Sequence, residues 1–174
     1  FFTSAERYHI NAKQVFSGHV ASNVKYVEVS FASGCIEFYN LDAHEVLDAI
    51  IDAIPANLEV HVFLGIHHEG YTPKMKPVIH SLIKEDKLAG IDLHGHEDVP
   101  VGDWAPSLYA EARALGKYTK AHAGEFMGPE FVRYAIDELK IDRLAHGVRS
   151  VEDTDLPKIL RDKDPPIASQ RYFR

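Results

Sequence analysis

Three observations predict a parallel α/β fold for this 174-residue chain. Strand-sized apolar runs recur along it, each is followed by a longer stretch of helical periodicity, and none of the runs alternates strictly between apolar and polar residues. Strands covered on both faces lack that alternation, whereas strands of a half-exposed antiparallel sheet show it. A strand and helix repeated in this order join parallel strands by right-handed crossovers, either closed as a barrel or open as a sheet.

The strand-like runs are Val24 to Ala32, Leu58 to Ile66, Leu88 to His94, Tyr118 to His122 and Arg143 to Gly147. Between them, His44 to Ile54 places Leu47, Ile50, Ile51 and Ile54 on one helical face, and Thr72 to Lys87 does the same with Met75, Val78, Ile79, Leu82 and Ile83. Pro77 marks the first turn of that second helix or a kink in it. Trp104 to Leu115 and Pro129 to Leu139 continue the series. Pro129 stands where a helix accepts proline, and Val132, Ala135, Ile136 and Leu139 form the inner face. No Pro/Gly/Ser-rich linker divides the chain in two.

Composition narrows the class of function. Hydrophobic residues make up 45% and charged residues 26%, the balance of a globular protein with material for a core. With 19 Lys and Arg against 26 Asp and Glu, the net charge of -7 opposes a general affinity for nucleic-acid backbones, and no basic run offers a local exception. Cys35 is the single cysteine, so neither an internal disulfide nor a cysteine-built zinc site can form. No apolar run approaches the roughly 18 residues needed to span a bilayer, so no membrane partner is expected. The compartment stays open, with the cytoplasm weakly favoured by the cysteine usage. The chain begins at Phe1 inside a helical pattern and reads as a fragment of a longer protein.

The unusual residue is histidine, present 11 times, because it both titrates near neutral pH and ligates transition metals. His67 and His68 follow the second run, His94 and His96 the third, His122 ends the fourth and His146 lies in the fifth. In parallel α/β folds the carboxyl ends of the strands are where sites are built. A single histidine of this kind is more often a satisfied core or loop residue than a ligand, but recurrence at successive strand ends argues for a shared site.

Three segments are more specific. Gly90-Ile91-Asp92-Leu93-His94-Gly95-His96-Glu97 is a strand ending in a glycine between polar residues, where a backbone could approach a ligand. His122-Ala123-Gly124-Glu125 puts a possible metal ligand at a strand end and returns a carboxylate to the same pocket as a general acid or base. Arg143-Leu144-Ala145-His146-Gly147, with Glu152-Asp153 behind it, is again a strand ending in histidine and glycine. Taken singly, these are an ordinary turn glycine, a polar turn with an exposed glutamate and a structural histidine.

In this order and spacing the three segments resemble the adenosine deaminase family of the metal-dependent amidohydrolases. That family reads Gly-Ile/Phe-Asp-Leu-x-Gly-x-Glu, His-Ala-Gly-Glu, and Arg-Ile/Leu-Gly-His-Gly with Glu-Asp a few residues on. Tyr26-Val27-Glu28-Val29-Ser30 is similar to its second barrel strand, with Ser30 in place of an arginine, and Ala145 replaces the first glycine of Gly-His-Gly. The resemblance implies a TIM-type parallel (β/α)8 barrel, incomplete here and supplying about strands two to six of eight over residues 1–163, followed by a divergent tail, 164–174. It implies hydrolytic deamination of adenosine or a related 6-aminopurine, nucleoside or base, with one zinc ion per complete site. His122 would be a zinc ligand, and Glu125 would share a proton with purine N1. His146 would orient or deprotonate the zinc-bound water, and Gly95 would offer its backbone N–H to purine N3. The family's remaining ligands, a His-x-His pair on the first strand and an aspartate on the last, map onto nothing in this chain, and His94-Gly95-His96 stands at the wrong strand to replace them. The competing expectations are another metal-dependent amidohydrolase, or an inactive fragment or binding module that self-associates through open sheet edges.

Overall fold

The computed structural model describes residues 2–163 and the short strand Ile167–Ala168. Two compact units are distinguished, one of Phe1–Gly65 with Thr72–Ala89 and the other of Ile66–Tyr71 with Gly90–Arg174.

The first unit opens with helix α1, Ala5–Ala21, whose N-cap Ser4 accepts a hydrogen bond from the backbone N–H of Arg7. Strand β1, Tyr26–Ala32, runs parallel to the first part of β2, Glu59–His67, in register from Tyr26 opposite Glu59 to Ala32 opposite Gly65. Helix α2, Ser33–Tyr39, follows β1 directly and ends on Asn40 in the left-handed conformation. Helix α3, Ala43–Ile51, is capped by Asp42, which accepts from the N–H groups of His44 and Glu45. Helix α4, Met75–Leu82, carries Pro77 in its first turn, so the ring removes no intrahelical hydrogen bond. Val46 and Leu47 of α3, Val62, Phe63 and Leu64 of β2, and Ile79 and Leu82 of α4 are all buried.

The second unit repeats the strand and helix order. Strand β3, Gly90–His94, pairs in parallel with β4, Tyr118–Ala123, and β4 with β5, Arg143–His146. Helix α5, Trp104–Ala114, connects β3 to β4, and helix α6, Pro129–Asp137, connects β4 to β5. A 3-10 turn, Val148–Glu152, and helix α7, Leu156–Lys163, follow β5. The burial of all but one residue of β3 explains why the run lacks alternation: helices cover one face and neighbouring side chains the other.

The five expected strands are present with ends shifted by one or two residues, whereas the helices expected over 44–54, 72–87 and 129–139 are shorter at their ends. Helix α2 was not foreseen, since seven residues carry too little periodicity to register. The expected divergent tail, 164–174, lies outside the described residues except for Ile167 and Ala168. These form strand β6, parallel to β5, with Ile167 opposite Leu144 and Ala168 opposite Ala145.

Phe63, with no exposed surface in the first unit, tests the weight of this core. Phe63→Ala is expected to lower stability by about 3 to 5 kcal/mol, read as a shift of the urea-unfolding midpoint.

Candidate active site

The residues singled out from the sequence gather in the second unit, at the carboxyl ends of β3, β4 and β5. At each of these ends the chain turns through a residue of positive φ directly or soon after the strand histidine: Gly95 at 114°, Gly124 at 74° and Gly147 at 65°. Glycine reaches that region without the clash a Cβ would make. The space is also closed. A Cβ on Gly124 would come within 2.6 Å of a Val132 methyl, and one on Gly95 within 2.9 Å of His67 Nδ1.

Asp92 lies at the bottom of the site with no exposed surface. Its Oδ2 stands 3.2 Å from Lys120 Nζ and 3.3 Å from His122 Nε2. Asp92 and Lys120 are register partners across β3 and β4, and His122 is two residues beyond Lys120, so alternation along a strand puts both side chains on the face of the carboxylate. The other nitrogen of His122, Nδ1, is 3.1 Å from Nε2 of His146, and that same Nε2 is 3.2 Å from Glu125 Oε2. A continuous polar row therefore runs Lys120, Asp92, His122, His146, Glu125. With Asp92 ionised, His122 donates from Nε2 and turns the lone pair of Nδ1 toward His146.

His146 reaches this row by an unusual backbone. Its register partner is Ala123, one residue beyond His122, and strict strand alternation would direct His146 to the opposite face from His122. The residue instead adopts φ 70°, a left-handed conformation that costs a non-glycine residue about 1 to 2 kcal/mol, and its ring meets His122 at a centroid distance of 5.1 Å. Burial lowers the pKa of His146 below the usual imidazole range, with the Glu125 carboxylate pulling the other way. That shift favours the neutral form of the ring, which can accept a proton.

His94 joins the same row of rings, 6.2 Å from His122 and 4.4 Å from His67 between centroids. Burial, and after it the neighbouring His68 and His96, lowers the pKa of His67. Gly95 is exposed at the end of β3, so the strand end presents main chain rather than side chain to the site.

The loop carrying Glu125 is held from two sides. The buried carboxylate of Glu97 accepts hydrogen bonds from three successive backbone N–H groups, those of Glu125 at 3.1 Å, Phe126 at 3.0 Å and Met127 at 2.6 Å. Arg149 Nη1 donates to the Phe126 carbonyl at 2.6 Å while its Nε and Nη2 pair with Glu152. Asp153 takes both Nε and Nη2 of Arg133 on α6 and accepts the N–H groups of Asp155 and Leu156 at the head of α7. Those contacts hold the Asp153 carboxyl well below the usual range, the Arg133 hydrogen bond being the largest cause. Glu152 and Asp153 are thus braces of the loop and helices.

The chemistry of the donor set can be weighed against a metal. His122 is a suitable ligand type, but both its ring nitrogens are engaged, one by Asp92 and one by His146. Among the described residues no three histidine, cysteine, aspartate or glutamate side chains gather so as to hold a metal ion. Zinc sites of catalytic type use three protein ligands, so the described residues do not form a complete one.

The family model for adenosine deaminase matches residues 4–169. The chain belongs to that family. It is 29% identical over 155 residues to an adenosine deaminase of Shigella flexneri, covering 85% of this chain and 46% of that protein. It is 28% identical over 142 residues to an adenine deaminase of Cupriavidus metallidurans, covering 78% of this chain and 40% of that protein. Among solved structures, an amidohydrolase from Burkholderia ambifaria with bound zinc superposes with a TM-score of 0.84 at 24% identity, over 95% of this chain and 48% of that one. The fold is accordingly part of a parallel (β/α) barrel, as expected, and the chain spans about half the length of the curated relatives it matches.

Sequence reasoning selected Gly95, His122, Glu125 and His146 and missed the parts played by Asp92, Lys120, Glu97 and Arg149. The signal for two of them was present: Asp92 and His94, and Lys120 and His122, are spaced by two on neighbouring strands, which puts each pair on one face. Glu97 closes the first motif, but nothing in the sequence shows its role, because its partners are main-chain groups 28 to 30 residues away.

Two outcomes follow. His146→Gly is expected to be more stable than His146→Ala by about 1 kcal/mol, because glycine accepts the left-handed backbone and both lose the ring; thermal melts of the pair decide it. For Asp153 the folded pKa is depressed from an ordinary value near 3.8, so its contribution is present above that value and lost as pH falls through the folded one. The stability deficit of Asp153→Asn should therefore be full at neutral pH and shrink below about pH 4, measured by denaturant titrations across that range.

Proposed function

We propose that the complete protein carrying this chain hydrolytically deaminates a 6-aminopurine, giving the 6-oxo purine and ammonia. The observation that carries the reading is the row His122, His146, Glu125, with contacts of 3.1 and 3.2 Å, on the strand ends covered by the family match. When water attacks purine C6, electron density moves into the ring and must be met at N1. A Glu125 carboxyl sharing its proton with N1 meets it, and His146, beside both Glu125 and His122, takes or holds a proton of the attacking water. The tetrahedral carbon then expels the 6-amino group, which takes the proton held by His146 and leaves as ammonia, and the proton left on the new oxygen restores Glu125. Gly95 presents its main chain at the strand end for the purine N3. His122 would be one ligand of a zinc ion whose remaining ligands lie outside the described residues.

Relatives named for adenosine and for adenine support an aminopurine and leave nucleoside and base as alternatives. The incomplete donor set favours a second reading for the 174-residue chain by itself: alone it is inactive.

The test is loss of aminopurine absorbance by the complete protein with zinc supplied. Adenosine, deoxyadenosine, adenine and methylthioadenosine are the substrates, and turnover of none of them overturns the proposal. Given turnover, Glu125→Gln should reduce kcat by about 100-fold or more while bound zinc, measured by metal analysis, stays unchanged. Loss of the metal in that variant would show that Glu125 is a ligand.

A further inference from the structure

Glu97 is buried and meets a row of three consecutive main-chain N–H groups, two on Oε2 and one on Oε1. Those N–H groups belong to Glu125, Phe126 and Met127, in the turn just ahead of α6. Successive N–H groups pointing one way form an anion-binding concavity, and the first turn of a helix adds a favourable dipole. Carboxylate to N–H bonds of this kind are about twice as strong as neutral ones.

The consequence falls on Glu125. Its own N–H is one of the three donors, and its side chain, part-exposed, has His146 as its partner at 3.2 Å. A change in the peptide direction at Glu125 rotates that carboxyl away from His146. Arg149 grips the Phe126 carbonyl from the other side, but its side chain is part-exposed and shared with Glu152, whereas Glu97 is buried.

We propose that Glu97 is the positioning residue of the site: it binds no substrate, and by seating the N–H groups of residues 125, 126 and 127 it sets the direction in which the Glu125 carboxyl meets His146 and the purine. The catalytic half of this inference rests on the deaminase reading given above; the structural half stands without it. The structural half does not depend on a metal.

Glu97→Gln keeps the volume but replaces one acceptor oxygen by an N–H₂ that faces the donors. In the complete protein, amide hydrogen exchange over residues 124–128 is expected to accelerate by about tenfold or more, with β3, β4 and β5 unchanged within about twofold. The kcat for the aminopurine should fall by about 10- to 100-fold with KM within about threefold, as misplacement of a reacting group by an ångström does. Glu97→Asp, which keeps the charge on a shorter stem, should recover part of both losses, and it serves as the second variant if the glutamine form does not fold. Unchanged exchange at 124–128 overturns the proposal. So does a uniform rise in exchange across all three strands, with kcat falling only as the folded fraction falls. If the wild-type protein turns over no aminopurine, the deaminase reading fails, and the exchange measurement alone decides whether Glu97 seats the loop.

Discussion

The carboxylate of Asp92 is the group on which the site depends. A charge with no exposed surface survives only where its desolvation is offset, and Lys120 and His122 offset it at 3.2 and 3.3 Å. The offset has a structural effect beyond charge balance. By accepting from His122, Asp92 selects the ring tautomer, and the tautomer decides which nitrogen faces His146. A ring free to flip would present either nitrogen; a ring bonded at both presents one. His146 and Glu125, at the far end of the row, thus inherit their arrangement from a buried residue beneath it.

Around that row the backbone is under tighter constraint than the side chains. Three successive strands end in left-handed turns, and at Gly95 and Gly124 the volume a Cβ would fill is already taken. His146 alone among the site residues pays the left-handed cost with a full side chain. The loop behind β4 could relax from such a geometry, and it is held by charged groups on both sides: Glu97 on its N–H groups and Arg149 on its carbonyl. Strain at His146 and restraint in the loop next to it occur together because a strained conformation persists only where its surroundings over-determine it.

Much of this was legible in the residues. The strand and helix repeat rests on burial, which periodicity reports directly, and the family resemblance rests on short motifs whose letters are dictated by turn geometry and acid–base chemistry. Helix α2 was illegible because seven residues are two turns, too few for a period to emerge. Glu152 and Asp153 were legible as a motif but not as braces, since nothing in a pair of acidic letters says whether the partner is a proton, a metal or an arginine. Glu97 was legible as the last letter of the first motif but not as the seat of a loop: a carboxylate that binds main chain leaves no complementary side chain to find.

The sequence by itself determined the strand order, the family and the residue types at the strand ends, because each follows from local pattern: hydrophobic period, glycine where φ must be positive, histidine and glutamate in short family motifs. Tertiary structure alone decided that His146 faces His122 rather than away from it, that Asp92 and Lys120 lie beneath them, and that Glu97 holds the loop of Glu125. Those outcomes depend on strand register and on one left-handed residue, and a register is a relation between segments distant in sequence that neither segment specifies alone.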